Sequence, residues 1–333
     1  MINFSILGYG YIGKVNHKAI LNSEGAELIS IIDIDLPSDL ELKTYSTLEC
    51  FLQEDTKTDV VIIATPNGLH YEHAMRCLKA GKNILIESPI GLNPEESKEI
   101  LVEADLRNLR VFTSLQLRFS PVVQYIKKLI DNKALGKVFM INVQCYWNRN
   151  KNYYKLSDWR GSEEMDGGVL YSQFFHFIDV INYWFDEVKC IQSKKYNFSH
   201  QQYTEFADSG NIDFLADNAI GHMTYTTAVF NKSFESNISI IAEKGTVKIG
   251  DEFLNQMIYS DFKNICCSKN VSTDQENFHE LVIQETVDAL IRNNVSVIDG
   301  KEALKAIHFI KEIDVNLCNE NLNTLKSNEL SYT

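Results

Sequence analysis

The sequence predicts an α/β protein, with a doubly wound parallel sheet over residues 1–120 and a second domain over residues 121–333. Three observations carry this. A short apolar run enters a glycine-rich turn that opens a helix within the first two dozen residues. Strand-like apolar runs then alternate with helical patterns as far as Thr113, as repeated strand–helix units do. After Pro121 the pattern shifts to long alternating strands, which implies a different sheet.

The first strand is Phe4-Ser5-Ile6-Leu7, followed by Gly8-Tyr9-Gly10-Tyr11-Ile12-Gly13 and a helical pattern from Val15 to Leu21. This G-x-G-x-x-G lies between strand and helix, the context in which it cradles a dinucleotide pyrophosphate. Gly8 permits the tight turn, Gly10 lets the backbone approach the phosphates, and Gly13 lets helix pack on strand. A second strand, Leu28 to Ile32, ends in Asp33, about twenty residues after the glycines, where a Rossmann fold places its ribose-binding acid. A carboxylate there repels a 2′-phosphate, and neither Ile34 nor Asp35 supplies an arginine, so NAD is expected rather than NADP.

Asp59 to Ala64 reads as a buried parallel strand that stops at Thr65-Pro66-Asn67. A helix from about Leu69 to Ala80 closes at Gly81, and Asn83 to Ile86 is the next strand, ending at Glu87-Ser88-Pro89. Asn93 caps a further helix with Pro94 at its first position, and Arg110 to Thr113 is one more strand. Ligands of such sheets sit beyond the carboxyl ends of the strands, which makes Thr65, Pro66, Asn67, His70, Glu87 and Ser88 pocket candidates. In the second domain a helix (Val122 to Asp131) leads through Gly136 to a strand from Lys137 to Trp147. Strand-like runs follow at Lys189–Phe198, Ala219–Val229 and Ser236–Ala242, then a turn at Lys244-Gly245-Thr246-Val247. The asparagine-rich C-terminal tail reads as a frayed end.

Composition narrows the function. With 333 residues and 44% apolar side chains the chain can bury a sizeable core. A net charge of -13 argues against non-specific nucleic-acid binding, which needs a basic surface. No stretch is long and apolar enough to cross a membrane, and the chain opens directly on a strand, so no leader is expected. Cys50, Cys77, Cys145, Cys190, Cys266, Cys267 and Cys318 are odd in number and lack zinc-type spacing, so no metal is expected. Free thiols point to a reducing, cytoplasmic compartment.

Several separated stretches resemble the Gfo/Idh/MocA oxidoreductases. They are Gly8 to Gly13, Thr65-Pro66-Asn67-Gly68-Leu69-His70, Ala80 to Pro89, Leu117-Arg118-Phe119-Ser120-Pro121, Trp159-Arg160, and Gly167-Gly168-Val169-Leu170 through His176 to Asp179. The resemblance covers most of the chain. It implies a Rossmann domain followed by an α+β domain whose large, mostly antiparallel sheet covers the nicotinamide end and often mediates oligomerisation. Two positions depart from the family pattern. Ser88 stands where members usually carry the lysine of Glu-Lys-Pro, and Ser172 where an Asp or Asn commonly precedes the histidine.

The resemblance places Gln116, Trp159 and Arg160 at the cofactor, and His176, Ser88 and Ser172 at the reacting hydroxyl. His176, with an ordinary pKa near 6.5, suits transfer of the hydroxyl proton. Read as one helix after the Gly167-Gly168 turn, Ser172 and His176 are four apart and share a face. Without the family position, an aromatic-core histidine among Phe174, Phe175 and Phe177 is the simpler reading. Asp179 is expected to tether the helix. Arg118, Tyr154 and Lys155 are substrate candidates, with Arg149 and Lys151 completing a basic rim suited to phosphate or carboxylate. Leu115 to Arg118 and the Tyr153-Tyr154-Lys155 to Gly161 stretch resemble nucleotide-sugar 3-dehydrogenases, which oxidise carbon 3 of a UDP-linked N-acetylglucosaminuronic acid. The implied partners are therefore NAD, a sugar or nucleotide sugar, and further copies of the chain as a dimer or tetramer. A free-polyol dehydrogenase and a catalytically inactive NAD-binding regulator are the alternatives.

Overall fold

The computed structural model describes residues 1–36, 40–263 and 278–317. Cys266, Cys267, Cys318 and the asparagine-rich tail lie outside them.

The N-terminal half alternates strand and helix: β1 (Ile2–Leu7), α1 (Tyr11–Leu21), β2 (Ala26–Ile32), β3 (Lys43–Tyr45), α2 (Leu48–Glu54), β4 (Val60–Ile63), α3 (His70–Lys79), β5 (Asn83–Ile86), α4 (Pro94–Arg107) and β6 (Val111–Thr113). All neighbouring strands pair in parallel in the order β3-β2-β1-β4-β5-β6. Helices cover both faces of such a sheet, so its central strands are apolar throughout. Val60, Val61, Ile62 and Ile63 are all fully buried. Strand order reverses between β1 and β4, which opens the crevice at their carboxyl ends. Asn93 caps α4 by accepting the Glu96 N–H at 2.7 Å, and Pro94 occupies its first turn, as expected.

The second half begins with α5 (Pro121–Asp131), whose N-cap Ser120 accepts the Val123 N–H at 3.3 Å. There follow β7 (Val138–Tyr146), α6 (Lys151–Tyr154), α7 (Val169–Ser172), α8 (Phe175–Trp184), β8 (Val188–Tyr196), β9 (Ser209–Ala216), β10 (Ala219–Thr226), β11 (Glu235–Ala242), β12 (Gly245–Gly250) and β13 (Gln256–Phe262). They form a seven-stranded sheet, β13-β12-β11-β7-β10-β9-β8. It is antiparallel except at its centre, where β7 and β10 run parallel. Alternate residues of each strand (Ile141, Val143, Cys145; Met223, Tyr225; Ile238, Ile240) point into the core. Helix α8 joins this layer through Phe177 and the preceding Phe174, whose rings meet Trp147, just after β7, edge-on at 6.0 and 5.2 Å.

Two final helices, α9 (Phe278–Arg292) and α10 (Gly300–Val315), return to the first sheet. The Asn22 side chain after α1 donates to Glu280 at 2.6 Å. The Thr113 N–H donates to the Ile298 carbonyl at 2.8 Å, just before α10. α10 also reaches the second sheet, where Phe309 meets Phe214 of β9. These helices clamp the two sheets together around the crevice.

Candidate active site

The glycine turn has the shape its spacing implies. Gly8 has φ of +97°, and a Cβ there would lie 2.6 Å from the Ala64 carbonyl oxygen. A Cβ on Gly13 would lie 2.1 Å from the Gly8 carbonyl oxygen, so α1 packs on β1 only with glycine there. Around Gly10 nothing lies within 4 Å of such a Cβ, which leaves open space on the face a pyrophosphate needs. α1 starts at Tyr11, with Ile12 and Gly13 in its first turn, no side-chain cap and no acid, so its N–H groups and positive end are available to an anion. Asp33 stands beside the turn. Its carboxylate accepts the Tyr9 N–H and, at 2.9 Å, the Asp35 N–H. These features fit a dinucleotide. The Tyr9 ring turns back onto α1, its hydroxyl 2.6 Å from His17 Nδ1, while Tyr11 is exposed.

The strand ends beyond β4 and β5 carry the next groups, with one correction. The His70 imidazole does not face a ligand. It is fully buried, with Nδ1 2.7 Å from the Pro89 carbonyl and Nε2 2.9 Å from the Thr65 carbonyl. Burial lowers its pKa, and the two carbonyls and Glu87 act against that. Its role is to rivet the Thr65-Pro66-Asn67 loop to the Glu87-Ser88-Pro89 loop. Glu87 is also turned inward, where it accepts the Asn16 side-chain amide at 2.6 Å and ties its loop to α1. Thr65 bonds His73 at 3.0 Å, and Asn67 donates to the Asp166 main-chain carbonyl at 2.9 Å.

Ser88 and His176 meet, with Ser88 Oγ 3.2 Å from His176 Nε2. Gln116 reaches the same nitrogen, not a separate part of the cofactor crevice, its Nε2 at 2.8 Å. The Ser114 hydroxyl donates to Gln116 Oε1 at 3.5 Å, which leaves the Gln116 N–H to face the ring. His176 Nε2 therefore accepts, and the ring proton lies on Nδ1, which is buried without a partner among the described residues. Burial first, then the nearby His279, pushes the His176 pKa down to about 3. The ring is a neutral base held ready beside a hydroxyl.

Three other readings are corrected. Ser172 and His176 are not on one helix, since α7 ends at Ser172 and α8 begins at Phe175. Ser172 donates back to the Gly168 carbonyl at 3.2 Å, and Gln173 at the break binds the Tyr153 hydroxyl at 2.7 Å and Arg149 Nε at 2.5 Å. Arg118 is not in the cleft. Its guanidinium is buried against Asp179 through two bonds of 2.9 and 2.7 Å, and it donates to the Val297 carbonyl at 2.8 Å. Burial alone would lower its pKa; Asp179 more than offsets this and keeps it charged. Tyr154 is buried under Tyr153, His200 and Tyr203 rather than facing a sugar, and Lys155 is exposed. Arg160 lies over Tyr153 at 4.2 Å and beside Trp159 at 5.4 Å. Asn16, Gln173 and Asp166 escaped the sequence reading. Only Gln173, a polar residue inside an aromatic run, carried a visible signal.

Among the described residues no cluster of His, Cys, Asp or Glu could hold a metal, and no helix is long and apolar enough to cross a membrane.

Two family models match. The NAD-binding Rossmann domain of the Gfo/Idh/MocA oxidoreductases covers residues 2–115, and the family's C-terminal domain covers 123–248. The chain is 27% identical to oxidoreductase P35 of Formosa agariphila over 93% of this chain and 97% of that protein. It is similar to the WlbA dehydrogenase of Bordetella pertussis, solved in complex with NADH and UDP-GlcNAcA, with 25% identity, 95% of both chains covered and a TM-score of 0.89. The corresponding complex from Chromobacterium violaceum gives 27% identity, 95% and 93% coverage and a TM-score of 0.86. With the glycine cradle, Asp33 and the Ser88–His176 pair in place, the chain belongs to the Gfo/Idh/MocA oxidoreductases and is a dehydrogenase with an NAD-binding Rossmann domain.

Proposed function

We propose that this dehydrogenase transfers hydride between NAD and a hydroxyl of a nucleotide-linked sugar, at carbon 3 of a UDP-N-acetylglucosaminuronate-like substrate. The observation that carries this reading is the likeness along 95% of both chains to a dehydrogenase solved with NADH and UDP-GlcNAcA. The local chemistry agrees. A sugar hydroxyl against Ser88 gives its proton to Ser88 Oγ as Ser88 passes its own to His176 Nε2, 3.2 Å away, and the Gln116 N–H gives up that nitrogen's single lone pair as the proton arrives. The carbinol hydrogen leaves with its electron pair, and bound NAD supplies the acceptor for that hydride. Gln116 holds the imidazole in the accepting tautomer. The same groups run the reverse reduction.

In this reading Gly8, Gly10, Gly13 and Asp33 hold the dinucleotide, Thr65 and Asn67 line its nicotinamide end, and Arg149 with Arg160 faces the anionic part of the sugar nucleotide. We also place the enzyme in the cytoplasm, as a homo-oligomer. The thiols of Cys50, Cys77 and Cys145 suit a reducing compartment, and the outer face of the large sheet suits self-association.

The test is reduction of NAD by purified protein against a panel of UDP-sugars and free polyols, with UDP as competitor. Turnover with a UDP-uronic acid and inhibition by UDP are expected. Turnover of an inositol-like polyol unaffected by UDP would replace the nucleotide sugar with a free polyol. NAD binding without exchange of hydride from any of them would favour a regulatory protein.

A further inference from the structure

A cavity of about 440 Å³ opens between α7, the C-terminal end of α10 and the inner face of β8 and β10. Neither Ser88, Gln116 and His176 nor the glycine turn after β1 lines it. Its volume is that of a small-molecule site. Strand register builds the floor. Lys195 of β8 and Tyr225 of β10 both pair with Gly210 of β9, so all three share one face of the sheet. The Tyr225 ring lies across the glycine, where a Cβ would come 2.5 Å from its hydroxyl oxygen. That hydroxyl reaches toward Lys195, whose ammonium pairs with Asp314 of α10. Tyr171 lines the same cavity from α7. Burial first, then Asp314, raises the pKa of both phenols, with Asp208 adding to this at Tyr225, so both keep their protons. Tyr171 and Tyr225 are 7% and 2% exposed, and neither hydroxyl has a hydrogen-bond partner among the described residues.

A buried hydroxyl is costly unless it is bonded, so the contents of the cavity must satisfy these two. Water would serve the floor but not the wall, where Leu170, Phe206 and Ile310 are apolar. The rim has a different character. Glu163 and Glu205 stand together there, with Glu205 Oε2 accepting the Glu163 N–H at 2.7 Å, and neither has a cationic partner among the described residues. The floor thus offers neutral groups that both donate and accept, beside an ion pair that cancels its own charge. The rim offers two carboxylates.

We propose that this cavity binds a small hydroxylated amine. Its ammonium lies at Glu163 and Glu205, its carbon chain along the apolar wall, and its hydroxyl between Tyr171, Tyr225 and the Lys195–Asp314 pair. A hydroxyl fits that floor because it accepts from one phenol and donates to the other. The site is separate from the Ser88–His176 pair and does not depend on which sugar the enzyme oxidises.

Calorimetry with aminopentanol, pentylamine and pentanediol separates the two ends, because pentylamine lacks the hydroxyl and pentanediol lacks the ammonium. Aminopentanol is expected to bind more tightly than either. Tyr225→Phe and Tyr171→Phe remove hydroxyls that hold no protein group, so each leaves the fold intact. Each is expected to lower aminopentanol affinity by about three- to tenfold while leaving pentylamine unchanged. Glu163→Gln combined with Glu205→Gln is expected to erase the preference for aminopentanol over pentanediol. Affinity for NAD, measured on the same preparations, stays at the wild-type value and confirms folding. Absence of saturable aminopentanol binding at millimolar concentration overturns the proposal and assigns the cavity to water. So does an affinity that none of these substitutions changes. No step of the test needs turnover, so failure of the proposed substrate is read separately.

Discussion

At the scale of single residues the chemistry concentrates on one nitrogen. His176 Nε2 receives Gln116 and Ser88, while Nδ1 is sealed off without a partner. Replacing His176 by Ala is expected to lower kcat by about 10²–10⁴-fold, the usual worth of a positioned acid or base, with NAD affinity little changed. Stopped-flow hydride transfer and calorimetric NAD binding separate the two. A neutral imidazole is the form that accepts a proton, and burial holds the His176 pKa at about 3. The acid loss of turnover due to this group is therefore expected well below the ordinary histidine value near 6.5. The same shift acts on stability with a definite sign. The unfolded chain binds the proton more readily, so this contribution is complete above the unfolded pKa and is lost as pH falls below it toward the folded value. His176→Gln, which cannot be protonated, is expected to melt with less dependence on pH between about 6.5 and 3. An acid limb near 6.5 in the wild-type rate, absent from this variant, would contradict the assignment.

At the scale of elements, several separate pieces are held together by charge rather than by apolar packing alone. Arg118, in the turn before α5, grips Asp179 in the middle of α8, and both are 1% exposed. Removing one member strands a buried charge, so Asp179→Ala is expected to destabilise the fold by about 3–5 kcal/mol in denaturant titrations. Arg118→Met with Asp179→Leu should recover much of that loss, because no charge is then left unpaired. A drop of less than about 1 kcal/mol for Asp179→Ala would show a pair no stronger than a surface one. This pair also shows where the sequence could be read and where it could not. Most of the parallel sheet was legible because β4 and β5 are apolar runs and their turns carry glycine, asparagine or proline, whereas β3, Lys43-Thr44-Tyr45, is too short and polar to give such a signal and was not read. The tethering of α8 by Asp179 was anticipated, but its partner Arg118 looked like a substrate arginine, since one sequence cannot show that two charges 61 residues apart meet. The break between α7 and α8 was hidden for another reason. Gln173 and Phe174 fit a helical pattern, but at the break Gln173 turns its side chain to Tyr153 and Arg149, partners that no local pattern reports. His70 was misassigned in the same way, because both its acceptors are main-chain carbonyls that no pattern of side chains reports.

At the scale of the whole molecule, the seven-stranded sheet has one face packed on helices and one face open. Register places Leu215, Ile220, Met140 and Ile241 side by side across β9, β10, β7 and β11. All four are exposed, Ile220 at 62%. Beside this apolar row the same face carries Asn142, Gln144, Thr224 and Ser239, uncharged residues in a chain with a net charge of -13. At this level the Asp213 carboxylate lies 2.6 Å from His222 Nδ1, and Lys248 pairs with Glu235 at 3.0 Å. Acidic chains repel through most of their surface, and a flat face of low charge with an apolar row is where two copies would meet at least electrostatic cost. An isologous contact brings the same row of both copies together, so one substitution acts twice in each interface. Ile220→Asp is expected to place two carboxylates in that interface and to shift the wild-type mass in light scattering to a smaller species. The site at Ser88 and His176 belongs to the opposite side of the sheet, so NAD binding by the dissociated protein should persist. A wild-type protein that is already a monomer, or an unchanged mass for Ile220→Asp, would assign the open sheet face to solvent and leave its low charge unexplained by self-association.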